Sequence, residues 1–160
     1  MPDQTSVDPV AVVLAWLQTR AGVLAAFGDA AHVSGVVEAP WPHLRVAPGP
    51  GGSLRDGVWA LDEDVLLEVY GDPSGAPGEA GMRHLMLVAV SAVRELVDVA
   101  AETTDVVVSD VISVGIPRPQ QAPWTVGVRQ QATTSGQSRW SMVMRVVAHP
   151  PVADPPAAGS

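Results

Sequence analysis

The chain has 160 residues, of which 47% are hydrophobic and 16% charged, with a formal net charge of −8. That balance excludes a mainly disordered chain, and a domain of this length buries about two-thirds of its unfolded surface without help from metals or disulfides. The absence of cysteine excludes a disulfide framework, a thiolate zinc site and a cysteine nucleophile. The nine basic residues are all arginine and form no cluster, which argues against sequence-specific nucleic-acid binding. So low a charge density suggests that partners cover part of the surface. The N-terminal stretch 1–9 is acidic and has no apolar run behind a positive region. Apolar runs such as Leu85 to Val90 are far too short for a bilayer. The expectation is a soluble chain that acts inside a cell and away from membranes.

Asp8-Pro9 starts a helix, since Asp caps free N–H groups and Pro at the first helical position loses no hydrogen bond. Val10, Val13, Leu14 and Leu17 form its apolar stripe, with Trp16 off the centre. Gly22 ends or kinks this helix, and a short piece from Val23 to Phe27 follows. His32 to Glu38 reads as a weak strand, His43 to Ala47 as a second, and Pro48 to Gly57 as a flexible Gly/Pro loop. From Trp59 to Tyr70 a strand sets Val65, Leu67 and Val69 on one face and Leu66, Glu68 and Tyr70 on the other. A turn at 71–78 leads into the longest helix, about Glu79 to Ala100. Its polar stripe is narrow and its apolar surface exceeds what one sheet contact needs, so either the first helix or another subunit covers the rest.

Val106 to Val114 is a strand, with Val106, Val108, Ile112 and Val114 predicted on one face. A proline-punctuated connector follows at 117–123, then a short edge strand at 126–128. In the last strand Trp140, Met142, Met144, Val146 and Ala148 alternate with Arg139, Ser141, Val143, Arg145 and Val147. Residues 150–160 hold four prolines and no periodicity, the composition of a disordered tail. The fold class is α+β: one domain over 1–149, a mostly antiparallel sheet of about four to six strands, and an N-terminal helix and one long helix packed on it.

Few residues carry recognisable chemistry. Gly49-Pro50-Gly51-Gly52-Ser53 lacks the lysine of a phosphate-binding loop and precedes a strand instead of a helix. His32, His43, His84 and His149 have no metal-ligand spacing. Asp62-Glu63-Asp64 reads as a solvated strand end. No nucleophile elbow is present, and paired carboxylates such as Glu38 with Glu68 have no supporting pattern. The chain has five tryptophans but only one Tyr and one Phe. Trp16 and Trp140 belong to periodic elements and read as core. Trp41 and Trp124 each follow a proline in a loop; Trp124, beside Arg118, Gln120 and Gln121, suits an interface, where a large ring with one N–H donor anchors contact.

One set of marks occurs in a telling order. Asp8-Pro9 precedes a helix bearing Trp16-Leu17, and Pro42-His43-Leu44-Arg45-Val46 follows. Next come Asp64-Val65-Leu66-Leu67-Glu68-Val69-Tyr70-Gly71-Asp72 before a long helix, then Gly115-Ile116-Pro117, Pro123-Trp124 and a closing alternating strand. In order and spacing the chain resembles the tail terminator proteins of long-tailed phages, the broad group that includes the lambda tail terminator. The stretch 48–57 and the proline tail lie outside the resemblance.

The resemblance implies a structural virion protein at the tail–neck junction, assembled in the host cytoplasm. It would form a homo-hexameric ring that caps the finished tail tube, ends its polymerisation and meets the head-connector or neck protein. It implies no catalysis, no cofactor and no metal, and DNA contact only by passage through the lumen. An acidic bore fits that passage, because like charge keeps a polyanion from sticking. The connector at 117–124 is expected to reach the next subunit or the tube. The strand from Arg139 to Val147, or its neighbour at 126–131, is expected near the subunit boundary. Arg118, Gln120, Gln121, Trp124, Arg139 and Arg145 are the expected interface residues. A neck stopper or adaptor protein, and a small ligand-binding or enzymatic α+β domain, are the competing readings.

Overall fold

The structure is a computed structural model, and it describes residues 8–54, 61–97, 106–120 and 137–150. Two short helices open the fold, α1 (Pro9–Leu17) and α2 (Ala21–Phe27), followed by β1 (Val33–Ser34), β2 (His43–Leu54) and β3 (Leu61–Tyr70). Then come α3 (Gly78–Arg94), β4 (Val107–Pro119) and β5 (Arg139–His149). The strands form one sheet in the order β1-β2-β3-β5-β4. β1 runs parallel to β2, and every other pairing is antiparallel. The fold is therefore α+β, with the N-terminal helix and α3 packed on a mostly antiparallel sheet.

Asp8 caps α1 through its carboxylate, which accepts the Val10 N–H at 2.9 Å, and Pro9 occupies the first helical position. The core lies between the helices and one face of the sheet. Leu44 and Val46 from β2, Val65, Leu67 and Val69 from β3, and the even-numbered residues of β5 meet Met82, Leu85, Met86, Ala89 and Val93 of α3. Trp16 belongs to this core, as its place in a periodic element suggested, although it lies off the centre of the stripe: it is 2% exposed, and its indole N–H donates to the Ala92 carbonyl at 2.7 Å. That bond fixes α1 against α3. The broad apolar surface of α3 is thus partly covered by α1 and α2, while Leu87 and Val97 remain exposed.

Three elements differ from the sequence reading. β1 is only two residues long, because the Ser34 hydroxyl bonds both the N–H and the C=O of Val36 and closes a turn. The Gly/Pro stretch from Pro48 to Leu54 is a paired arm of β2, with a register shift between Pro48 and Gly52. Its glycines are required by proximity: a Cβ at Gly49 would lie 2.7 Å from the Asp64 Cβ, and one at Gly51 would lie 2.6 Å from the Asp64 Oδ2. β4 continues through Pro119, so Pro117 to Pro119 are strand and not connector.

The face expected of β4 is also corrected. Val108 pairs with Ala148 but Asp110 pairs with Val147, so Ser109 is an extra residue, a bulge. Because side chains alternate with period two, one extra residue sends every later side chain to the other face. Val106 and Val108 are buried with the helices, whereas Ile112 and Val114 are 48% and 45% exposed. A second irregularity, between Val114 and Arg118, contains Gly115 at φ +99°, a left-handed conformation that favours glycine. α3 runs to Arg94 with helical residues again at 96–97, and the rest of the expected helix, 98–100, lies outside the described residues. The predicted strand at 126–128, the stretch 126–131, Gln121, Trp59, Trp124 and the tail at 151–160 lie outside the described residues. Among the described residues no single helix is long and apolar enough to cross a membrane.

Replacing Trp16 by Phe keeps most of the ring and removes the N–H that meets Ala92. The expected outcome is a loss of about 1 kcal/mol in urea unfolding, at an unchanged slope.

Candidate assembly surface

Among the described residues α1, α2 and α3 lie on one face of the sheet, and the side chains on the opposite face offer a second surface. That face is built from His43, Arg45 and Ala47 of β2, Leu66, Glu68 and Tyr70 of β3, Arg139, Ser141, Val143 and Arg145 of β5, and Ile112 and Val114 of β4.

At its centre sits Glu68, which is fully buried. Arg45, directly across on β2, pairs with Oε1, and the Arg139 guanidinium on β5 pairs with Oε2, its Nε at 2.6 Å. The Tyr70 hydroxyl donates to the same Oε2 at 3.2 Å, and the Arg139 guanidinium lies over the Tyr70 ring. Burial, and then the Glu68 charge, push the Tyr70 phenol up to about 12. The two arginines are only 27% and 15% exposed, so they form the lid of this cluster as well as its counter-charge. Arg45 also donates to the Gly35 carbonyl at 3.3 Å, which ties in the loop after β1.

A second ion pair lies further along β3. Arg145 Nε meets Asp64 Oδ1 at 2.9 Å and Asp62 Oδ1 at 3.7 Å. The acidic run 62–64 is therefore not a freely solvated strand end, since Asp64 is 5% exposed and packed under the β2 arm. Between the two ion-pair rows runs an apolar rung, Ala47–Leu66–Val143–Val114, one residue from each of four neighbouring strands.

The expected interface residues divide in two. Arg139 and Arg145 are joined to carboxylates of their own chain. Arg118 and Gln120 are exposed on the outermost strand, where Gln120 donates to the Ser141 hydroxyl at 2.7 Å. Glu68 and its partners were not singled out from the sequence as a site. The signal available was Glu68 inside a strand with strong alternation, a charge on a face that Leu66 and Tyr70 mark as covered.

Ser34 and His43 come together, with Oγ 2.8 Å from Nε2. When the single hydroxyl proton goes to the Val36 carbonyl, Nε2 must donate to Ser34, the reverse of what a general base requires. His43 is also fully buried, beyond reach of a substrate. Glu38 is exposed while Glu68 is enclosed, so these two do not flank a cleft. Among the described residues no group of three or more His, Asp or Glu side chains forms a metal-ligand set.

Burial lowers the pKa of His43 below the ordinary histidine value of 6.5, against opposing contributions from the Pro40 carbonyl and Glu38. The neutral ring is favoured in the folded state, so its contribution to stability is complete above pH 6.5 and is lost as pH falls through the folded value. The expected outcome is a melting temperature that drops between pH 7.5 and 5.5, with a shallower dependence in His43→Gln, read by thermal scans. For the central cluster, Glu68→Gln leaves two arginines facing a neutral amide in a buried site. Its expected cost is about 3–5 kcal/mol in denaturant unfolding, the range for breaking a buried pair from one side.

Compared with known proteins, the chain matches no family model, and no curated protein matches it.

Proposed function

We propose that the protein is a structural assembly subunit of tail-terminator type. It forms a ring on the finished tail tube, stops addition of tube protein and offers the surface that joins tail to head. The observation that carries this reading is the distribution of uncovered apolar side chains. Leu87, Val97, Ile112, Val114 and Ile116 are each 43% or more exposed, and they occupy both the helical layer and the opposite, helix-free side of the sheet. A chain that leaves large aliphatic residues bare on two sides is suited to contact with neighbours on both. The ordered marks from Asp8-Pro9 to the last strand supply the specific identity of the assembly, by resemblance.

The remaining features are compatible with that role. The Glu68 cluster locks β2, β3 and β5 in one register, which a subunit needs if its surfaces are to present the same geometry in every copy. The net charge of −8 suits a lumen that passes DNA without holding it. The exposed Arg118 and Gln120 stand at the end of β4.

Electron microscopy of particles assembled without the protein tests the reading. Overlong tail tubes are the expected result. Tails of normal length that lack heads point instead to a neck stopper or adaptor, and normal infectious particles count against both.

A further inference from the structure

The exposed apolar residues form two patches of different shape. On the helical layer, a groove of about 580 Å³ runs between the start of α2 and the outer side of α3. Gly22, Val23, His84, Leu87, Ser91 and Glu95 are among its walls. Gly22 leaves it open, since a Cβ there would meet nothing within 4 Å. On β4, Ile112 and Val114 stand out on the face away from the helices at 48% and 45% exposure, and Ile116, 63% exposed, follows just past Gly115. One patch is a hollow and the other a ridge.

We infer that the β4 ridge of one copy seats in the α2–α3 groove of the next, so that copies associate head to tail. This rests on the ring reading and names the contact that would build it. Lengths agree: Ile112 to Ile116 spans at most about 13 Å of strand, and His84 to Glu95 about 16 Å of helix. Charges agree as well. The ridge is flanked by exposed Asp110 at one end and exposed Arg118 at the other. The groove has exposed Arg83 and His84 at one end and exposed Glu95 at the other, where Arg20 is held over the Trp16 ring. Laid antiparallel to α3, with its Arg118 end near the start of the helix, the ridge would face like charges. Laid with its Asp110 end there, it pairs acid with base at both ends.

Among the described strands β4 is the outermost, and its edge favours a side-chain contact over strand addition. Gln120 N–H donates inward to the Arg139 carbonyl, and Arg118 is paired inward with Ser141, so positions 117 and 119 are those whose N–H would point outward. Both are proline, and that stretch of edge offers a second strand no donors. The two bulges further disrupt a regular ladder. Ridge and groove lie on different sides of the molecule, so pairing them gives a heterologous contact that closes into a ring when the rotation permits.

The lack of any native cysteine makes the test direct. The full-length double variant Leu87→Cys/Ile116→Cys, oxidised after assembly, is expected to give a disulfide ladder up to the ring size. A mixture of the two single variants is expected to give dimers only, and either single variant alone no cross-link. Cross-linking of Ile116→Cys with itself overturns the inference, because it shows ridge meeting ridge. Assembly in light scattering with no cross-link between Leu87→Cys and Ile116→Cys overturns the contact and leaves the ring standing. A chain that stays monomeric at all concentrations overturns both. Gly22→Leu fills the groove from an exposed helix position that has room for it. It is expected to fold with an unchanged or higher melting temperature while the concentration for half-assembly rises at least about tenfold. A Gly22→Leu protein that assembles like the parent also overturns the inference.

Discussion

A single carboxylate holds the sheet together. Glu68 lies in the middle strand of a three-strand unit, and its two oxygens are taken by arginines from the strands on either side. Removing a carboxylate from water is costly, and only near-complete pairing offsets the cost. Glu68 achieves this with two guanidinium groups and a phenol, all supplied by the register of β2 and β5 against β3. A slip of one residue in either neighbour would turn its arginine to the helical face and leave the charge unpaired. The cluster therefore acts as a register lock, and everything placed by that register depends on it, including the close approach of Gly49 and Gly51 to Asp64.

The lock also explains how a sheet whose described helices all lie on one side can present a largely polar second face. Near Glu68 the two arginines cover what lies beneath them, their aliphatic stems over the strands and their charged ends turned to the carboxylate. Farther out, toward β4, that cover ends, and aliphatic residues stand in solvent. The chain thus has one closed region and one open region on the same face, and the open one coincides with its outermost strand.

Much of this was legible in the sequence, for identifiable reasons. The Asp8-Pro9 start, the β3 and β5 alternations and the long α3 each rest on several residues that agree, and each stands in the structure. The parts that escaped depend on contacts between distant segments. Nothing local to Gly49-Pro50-Gly51-Gly52 says that it pairs with β3, because its glycines are needed by a carboxylate more than ten residues away. Trp16 reads as core, but the carbonyl of Ala92 that takes its indole N–H lies 76 residues away and no local pattern announces it. Of the candidate interface residues, Arg139 and Arg145 read as free charges in sequence, and their carboxylate partners could be found only once strand order was known. Arg118 and Gln120, expected at an interface, are exposed in the single chain.

The bulge at Ser109 has a larger consequence than its size suggests. Upstream of it, β4 contributes its valines to the interior; downstream, the same apolar spacing points outward. Were Ser109 paired like its neighbours instead of bulged, Ile112 and Val114 would fold inward and Val111 and Ser113 would meet the solvent, a far less adhesive rim. Whether the molecule is sociable or solitary would then turn on how a single residue sits in the ladder, a difference by which a self-contained domain and a building block can diverge without any change of fold.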